Sequence, residues 1–199
     1  MARKAGYDRD QVLDRAQFLF WGKGYHATSL KDLEVALDLR PGSIYAGFGS
    51  KEALFAETLR RYAAQSGALF DAMMAGGATP LAGLAAHVRA LGCRAAAGDA
   101  PSQACMLVKT LLETPDDDPV LRRLTERSMR QIEAAFAAAF RAARDSGQIP
   151  GDSDPEYLAA RLQAAIFGLR AYAQRSDAAD RTAALAEGIA RDIEALAVT

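Results

Sequence analysis

The run "LRPGSIYAGFGSKEALF", residues 39–55, holds the signals that decide how this chain folds. Pro41 suits the first position of a helix, because its missing N–H would have no intrahelical partner there. Gly47 or Gly49 ends that helix, and Ser50 can accept a hydrogen bond from a backbone amide in the first turn of the next one. The run therefore predicts a very short helix that begins at the proline, followed closely by a longer, capped helix.

A second short helix precedes this run. Thr28 or Ser29 provides its cap, and apolar residues recur at the spacing of one helix face up to Leu37. Residues 38–40 then form a tight turn before the helix of residues 41–47. Two short helices joined in this way make a helix-turn-helix, in which the second helix enters the major groove of DNA.

The rest of the chain is also predicted to be helical, because alanine is abundant and no stretch alternates with a period of two. Asp8 caps a first helix. Further helices are expected at residues 80–97, 102–113, 119–146, 155–175 and 178–197. The fold class is therefore all-α. It combines an N-terminal three-helix domain over residues 1–50 with a C-terminal helical bundle over residues 51–199, and the helix of residues 51–74 connects the two.

Composition excludes several classes of protein. Of 199 residues, 50% are hydrophobic and 25% are charged, and the net charge is −1. This balance argues against a protein that coats nucleic acid through bulk charge, although it allows a local basic surface. Cys93 and Cys105 are too few for a disulfide framework, the first residues lack the apolar part of a secretory signal, and no apolar run has membrane-spanning length. We expect a reduced, cytoplasmic protein that has no contact with membranes and needs no cofactor.

The second helix of the motif carries residue types that suit DNA. Gly42 and Ser43 are small enough to let the backbone approach the duplex, and Arg40 can reach a guanine edge or a phosphate. Tyr45 and Lys51 can donate hydrogen bonds to phosphate oxygens, which position a protein on DNA without reading its sequence. The alternative is a helical hairpin that serves only as scaffolding.

The longer run "FLFWGKGYHATSLKDLEVALDLRPGSIYAGFGSKEALF", residues 18–55, resembles the DNA-binding domain of the tetracycline-repressor (TetR) family of bacterial transcription regulators. The match covers roughly residues 8–60 and depends on many positions at fixed spacing: Phe18, Gly24, Tyr25, Thr28, Ser29, Asp32, Leu33, Ala36, Leu37, Leu39, Gly42, Ser43, Ile44, Tyr45, Phe48, Ser50, Lys51, Glu52, Leu54 and Phe55. The resemblance implies a homodimeric repressor that binds a palindromic operator in double-stranded DNA and responds to an unidentified small-molecule inducer. The DNA contacts that it implies are Thr28, Arg40, Pro41, Gly42, Ser43, Tyr45 and Lys51.

Three positions depart from the family pattern. Glu34 replaces a common alanine at a helix–helix contact, so that this contact opens slightly or the glutamate turns to solvent. Asp38 replaces the usual turn glycine, and the turn should survive because aspartate tolerates a left-handed backbone. Gly47 replaces a His or Tyr, which removes one expected phosphate contact. Before the motif, Arg3 and Lys4 form either a basic arm that reaches DNA or a solvated terminus.

The resemblance also assigns roles to the C-terminal helices. The last two, residues 155–175 and 178–197, would form a four-helix dimer interface. Its candidate anchors, some of which could equally belong to the core of the monomer, are Ile166, Phe167, Leu169 and Tyr172.

The resemblance also implies an inducer pocket within residues 80–146. Its candidate lining residues, each of which also suits an ordinary core, are His87, Leu91, Cys105, Met106, Phe136 and Phe140. His87 has no partner at the spacing of a metal site, and no metal is predicted.

Cys105 has a second interpretation. The run "ACMLVKTLLE", residues 104–113, resembles the Gly-Cys-Leu-Leu run of family members that sense reactive electrophiles, with Ala104 in place of glycine. Lys109 lies one helical turn further on and would favour the thiolate form of the cysteine. The alternative is an inert cysteine, because free cysteine is among the most buried residue types.

No residue is a candidate for catalysis. The sequence has no phosphate-binding glycine loop and no metalloprotease or serine-hydrolase motif. Asp116, Asp117 and Asp118 precede a predicted helix and suit a helix cap with solvated charge. We therefore predict a ligand-responsive, DNA-binding regulator that is not an enzyme. The alternative is a helical scaffold or interaction protein without DNA-binding activity.

Overall fold

The computed structural model describes residues 7–98, 100–114 and 119–198. These ranges contain the helices α1 (Arg9–Lys23), α2 (Leu30–Leu37), α3 (Pro41–Phe48), α4 (Lys51–Gly76), α5 (Pro80–Ala97), α6 (Met106–Glu113), α7 (Pro119–Asp145), α8 (Pro155–Tyr172) and α9 (Ala179–Glu194). No strand occurs in the same ranges, so the prediction of an all-α fold is confirmed. Arg3, Lys4, Asp116, Asp117 and Asp118 lie outside the described residues.

Local capping explains where most helices begin. Asp8 accepts hydrogen bonds from the amides of Asp10 and Gln11 at the start of α1. Thr79 accepts one from the third residue of α5, and Asp154 accepts two from the first turn of α8. Both of these helices have proline at their first position. Because the groups that fix these starts are close in sequence, the starts follow from local sequence patterns.

Helix α6 is the exception, since it begins at Met106 and not at the predicted residue 102. The side-chain oxygen of Gln174 accepts hydrogen bonds from the hydroxyl of Ser102 (3.0 Å) and from the amides of Gln103 (2.9 Å) and Ala104 (3.0 Å). These amides are therefore occupied by a side chain that is distant in sequence, and the segment is held as a loop.

The chain forms two compact units. The first comprises the described residues of Met1–Ala64 and Met106–Glu126. Its core is aromatic at the centre, where the rings of Phe20 and Phe55 meet edge to face at 4.9 Å. The helices α1 to α4 supply the fully buried side chains Phe20, Leu33, Leu37, Ile44, Leu54, Phe55 and Leu59. This core holds α3 by its apolar side.

The second unit comprises the described residues of Gln65–Cys105 and Arg127–Thr199. Helices α5 and α9 pack closely, and a Cβ added at Gly92 would overlap Ala186. Arg89 pairs with Glu187 and Glu194, at 2.7 Å each, across the same pair of helices. The core is formed by Phe70, Leu81, Leu84, Val88, Phe136, Phe140, Ile149, Leu162, Ile166, Leu169 and Ile193, with smaller residues between them.

Within the described ranges, no helix combines the length and the apolar character needed to cross a bilayer. The division into functional domains at residue 50 remains a prediction, since the compact units are defined by packing alone.

Candidate nucleic-acid interface

A left-handed residue forms the turn between α2 and α3. Asp38 has φ 54° and ψ 44°, and its N–H bonds to the carbonyl of Glu34. The amide of Leu39 donates to the same carbonyl at 3.3 Å. The prediction that the turn survives with aspartate in the left-handed conformation is confirmed. The turn points the chain directly into α3, whose N-cap position is Arg40.

The two sides of α3 differ sharply in exposure. Ile44 and Phe48 are 1% and 6% exposed and fasten the helix to the core of the first unit. Gly42, Ser43 and Tyr45 lie on the opposite side and are exposed to solvent. A Cβ added at Gly42 would meet no atom within 4 Å. Since small residues allow close approach of another molecule, this side of α3 can enter a groove without steric obstruction.

Lys51 lies beside this surface at the start of α4. Its Nζ atom is 4.5 Å from the centre of the Tyr25 ring, where the amine is held by a cation–π contact. Partial burial lowers the pKa of Lys51, and the nearby carboxylate of Asp32 acts in the opposite direction. The ring therefore orients a cation whose hydration is already reduced before any anion arrives.

The start of α2 is stabilised by a capping box. The side chain of Asp32 accepts from the amide of Ser29 at 2.7 Å, and the amide of Asp32 donates to the Ser29 hydroxyl at 3.2 Å. The ammonium of Lys23 also bonds to this carboxylate at 2.6 Å. Hydrogen bonds from Lys23 and Ser29 hold the pKa of Asp32 well below its usual range. Ser29, and not Thr28, is therefore the cap.

Thr28 requires a correction. A DNA contact through its side chain would require Thr28 to be exposed, but Thr28 is only 1% exposed and its hydroxyl donates to the carbonyl of Gly24 at 2.6 Å. This hydrogen bond joins Gly24, the residue after α1, to the residue that precedes the N-cap of α2. Of the other predicted DNA contacts, Arg40 is exposed and Pro41 is half-buried.

Sequence reasoning missed Arg9. One guanidinium nitrogen donates to the carbonyl of Gly47 at 2.9 Å, and another donates to both carboxylate oxygens of Glu57. The guanidinium also lies 4.3 Å from the centre of the Phe48 ring. Arg9 therefore links the start of α1 to the end of α3. The partners are 38 and 48 residues away, and no local pattern indicates such a link.

The predicted inducer-pocket residues fall into two groups. His87, Phe136 and Phe140 are buried in the second unit, and Leu91 packs against the same core. The ring of His87 lies 5.8 Å from that of Phe136 and meets the ring of Phe70 edge to face at 5.2 Å. The second group is at the start of α6: Cys105 is buried in the second unit, whereas Met106 belongs to the first.

His87 combines burial with an unsatisfied polar atom. It is 5% exposed, and its Nδ1 atom has no hydrogen-bond partner among the described residues. Burial lowers the pKa of His87 to about 4, so the ring is neutral at physiological pH. An unpaired nitrogen among aromatic rings costs free energy, and a bound polar group would recover it.

The predicted cation for Cys105 is already engaged. The ammonium of Lys109 donates to the carbonyls of Trp21 at 2.7 Å and Gly22 at 3.0 Å, which lie in the last turn of α1. This geometry gives Lys109 a structural role at the end of α1.

The predicted dimer anchors also divide. Ile166 and Leu169 are buried in the core of the second unit, whereas Phe167 and Tyr172 are half-buried. The exposed side of α8 instead carries Tyr157, Ala160, Ala164, Gly168 and Ala171. In the described ranges, no three His, Cys, Asp or Glu side chains are grouped as a metal site would require.

Comparison with known proteins identifies both parts of the chain. The family model for bacterial regulatory proteins of the tetR family matches residues 12–58. The model for the tetracyclin repressor-like C-terminal domain matches residues 80–189. Together these two models account for the helix-turn-helix and for most of the helices that follow it.

Individual relatives match over nearly the whole chain. An uncharacterized HTH-type transcriptional regulator of Bacillus subtilis (strain 168), YezE, is 30% identical over 183 residues, which cover 91% of this chain and 93% of the relative. The HTH-type transcriptional repressor ComR of Escherichia coli (strain K12) is 32% identical over 165 residues, 82% of this chain and 78% of the relative. A cysteine mutant of the TetR family regulator CifR, solved with 26-bp operator DNA, is similar with a TM-score of 0.86 and 31% identity. That match covers 95% of this chain and 98% of the solved one.

Proposed function

The chain belongs to the TetR family of bacterial transcription regulators and is a DNA-binding regulator, and we propose that it represses transcription as a homodimer on a palindromic operator. The observation that supports this most is the geometry of α3. Buried Ile44 and Phe48 fix one side of the helix, and the other side presents small residues to solvent. In this arrangement a groove-binding helix is held rigidly at its back.

Each exposed residue has a separate task in the proposal. Arg40, Gly42 and Ser43 lie at or before the first turn of α3 and contact base edges, together with Pro41. Tyr45 and Lys51 donate to phosphates and set the register of the protein on the duplex. Thr28 does not contact DNA through its side chain, because its buried hydroxyl holds α1 and α2 together.

A homodimer supplies a second DNA-recognition helix, the α3 of the other subunit. One α3 helix touches a single half-site, whereas two helices about one turn of DNA apart (~34–36 Å) recognise a palindrome. The exposed side of α8 carries the small residues Ala160, Ala164 and Gly168, which permit another helix to approach closely. We place the dimer contact on this side of α8, with α9 beside it and with Phe167 and Tyr172 at its edge.

The inducer in this proposal is a neutral aromatic molecule with one hydrogen-bonding group. Phe70 and Phe136 provide ring edges and faces around His87, and Nδ1 of His87 provides a polar atom in need of a partner. Because the ring of His87 is neutral, it cannot form an ion pair with a charged ligand. A hydroxyl group on the ligand would satisfy its Nδ1 atom equally well. An inducer that binds best when α3 is misplaced withdraws the protein from DNA.

The test is selection of bound sequences from a random pool of duplexes by the purified, full-length chain at moderate salt. Enrichment of a palindrome with half-sites about one turn apart supports the dimeric repressor, and the operator identifies candidate genes. A folded, dimeric protein that enriches nothing overturns the proposal and favours a helical scaffold. Truncation of residues 1–50 should abolish the enrichment if these residues are the DNA-binding domain and residues 51–199 bind inducer and partner.

A further inference from the structure

Gly47 leaves a space on α3 that another residue occupies. A Cβ added at Gly47 would overlap the hydroxyl oxygen of Tyr7 and would lie 3.3 Å from the ring carbon that bears it. Gly47 is one helical turn after Ser43, so both residues are on the same side of α3. The phenol of Tyr7 therefore lies where a side chain of α3 would otherwise begin.

Tyr7 is held in this place by its neighbours. Its ring stacks on that of Phe48, with the centres 6.5 Å apart and the planes 26° from parallel. Two residues further along the chain, Arg9 donates to the carbonyl of Gly47 and pairs with Glu57. Since Phe48 is buried and Arg9 is anchored twice, the ring of Tyr7 has a fixed support below it.

Among the described residues, the hydroxyl of Tyr7 has no hydrogen-bond partner, and the residue as a whole is half-buried. A tyrosine hydroxyl usually finds a hydrogen-bond partner when its ring is packed. Of the two described side chains that contact Phe48 here, Arg9 already has its charge matched by Glu57, whereas Tyr7 contributes a neutral donor.

We propose that the Tyr7 hydroxyl donates a hydrogen bond to a DNA phosphate beside the second turn of α3. It thereby supplies, from outside the helix-turn-helix, the donor that Gly47 lacks. This inference rests on the proposed DNA-binding function. A neutral donor to a phosphate strengthens binding to every sequence, and it leaves the salt dependence of binding nearly unchanged because it adds no charge.

The decisive variant is Tyr7→Phe, which removes the hydroxyl and keeps the stacked ring. The probe is a fluorescent duplex selected by the wild-type protein, and binding is followed by anisotropy over a series of salt concentrations. We expect binding to weaken about tenfold for each subunit of the bound dimer, the size of one lost hydrogen bond to a charged group in each half-site. The melting temperature and the slope of affinity against salt should remain those of the wild type. Binding at wild-type strength would overturn the proposal and leave Tyr7 a packing residue.

A second pair of variants tests the position of the donor. Tyr7→Ala empties the space beside α3, and Tyr7→Ala with Gly47→His fills it again from α3 itself. We expect the double variant to recover most of the affinity that Tyr7→Ala loses. Failure to recover would mean that the donor does not act beside Gly47, which contradicts the inference.

The same experiment separates this inference from the proposed function. If the wild-type protein enriches no duplex, the proposed function has failed and Tyr7 loses its role with it. If the wild type binds and Tyr45→Ala weakens it while Tyr7→Phe does not, DNA binding stands and the assignment to Tyr7 alone is wrong.

Discussion

Tyr45 and Lys51 place two chemically different donors beside the exposed side of α3. Tyr45 is neutral and 46% exposed, whereas Lys51 is a cation held over the ring of Tyr25. Both can reach phosphate oxygens, but only a cation displaces a condensed counterion when it does so. Affinity alone therefore does not distinguish their roles, and the salt dependence of affinity does.

We expect Tyr45→Ala and Lys51→Ala to weaken binding to all duplexes by similar factors. Lys51→Ala should also reduce the slope of log affinity against log salt by about 1 for each subunit, and Tyr45→Ala should not. Titrations at several salt concentrations measure both quantities. Ser43→Ala serves as a control, because it should alter sequence preference more than general affinity. An unchanged slope for Lys51→Ala would exclude a phosphate contact by this lysine.

His87 makes stability depend on pH. Burial lowers the pKa of His87 in the folded state to about 4, whereas in the unfolded chain the pKa is near the ordinary histidine value of 6.5. Between these two values the unfolded state holds more protons, so the free energy of unfolding falls as the pH drops from 6.5 towards 4. Above this window the imidazole is neutral in both states and contributes no pH dependence.

The free energy of unfolding should fall by about 3 kcal/mol between pH 6.5 and 4, a value that follows from the size of the pKa difference. His87→Leu should remove this part of the acid sensitivity, because it replaces the titrating ring by an apolar side chain of similar size. Urea unfolding at about pH 7.5 and about pH 4.5 would measure the loss of stability on acidification in the wild type and in the variant. Subtracting one loss from the other cancels the contribution of surface carboxylates, which both proteins share. Equal acid sensitivity in the two proteins would mean that His87 is hydrated and not buried.

At the scale of elements, the turn between α2 and α3 depends on one residue in an unusual conformation. Asp38 is exposed and has φ 54°, so its backbone is its main contribution to the turn. Asp38→Gly should change the free energy of unfolding by less than about 1 kcal/mol, because glycine adopts this conformation freely but gains entropy in the unfolded chain. Asp38→Val should cost about 1–2 kcal/mol or more, because a branched side chain is strained there.

The Asp38 variants also test how closely the turn controls DNA binding. Denaturant unfolding gives the stabilities, and binding to the selected duplex is measured well below the unfolding transition. Asp38→Gly should bind like the wild type, while Asp38→Val should bind more weakly even where it is fully folded. If both variants bind equally well, the buried side of α3 alone orients the helix, and the conformation of Asp38 does not affect DNA binding.

Helices were predictable from sequence where their determinants are local. The caps Asp8 and Asp154 act within three residues of themselves, and the predicted starts of α1 and α8 were right. The start of α6 was wrong because Gln174, about 70 residues away, holds the preceding amides. A hydroxyl before a helix suits several roles, so the sequence does not distinguish an exposed Thr28 from a buried one, and only the fold shows that its partner is Gly24.

In the candidate site too, only features with local determinants could be predicted from the sequence. Gly42, Ser43 and Tyr45 could be located from the helix-turn-helix pattern, since exposure on α3 follows from the positions of Ile44 and Phe48. The contribution of residues that precede the motif could not be located in this way. The sequence shows that Gly47 lacks a donor side chain, but nothing near Gly47 in sequence indicates that Tyr7 fills the space.

At the scale of the whole molecule, apolar residues of α8 serve two purposes that a sequence does not separate. Ile166 and Leu169 are 6% and 3% exposed and belong to the core of the second unit. Ala164 and Gly168 have similar apolar character but lie on the exposed side of the same helix. Core and interface favour the same residue types, so only the packing of the chain assigns each residue to one of them.

Gly168 offers the sharpest test of the dimer. A Cβ added there meets no atom within 4 Å, so the folded chain by itself accepts a side chain at this position. Gly168→Glu also improves helix propensity and should not lower the stability of the monomer. In a symmetric dimer that packs the exposed side of α8, however, each subunit would bury a carboxylate at a close helix contact, at a cost of several kcal/mol.

We therefore expect Gly168→Glu to be a folded monomer in sedimentation experiments at concentrations where the wild type is a dimer. Its affinity for a two-half-site duplex should fall far more than that for an isolated half-site, because α3 and its neighbours are untouched. Gly67→Glu is the matched control, since Gly67 is also helical and an added Cβ there meets no atom within 4 Å. If Gly168→Glu stays dimeric, the two copies do not meet through the exposed side of α8. The spacing of the two α3 helices must then be set by another surface of the chain.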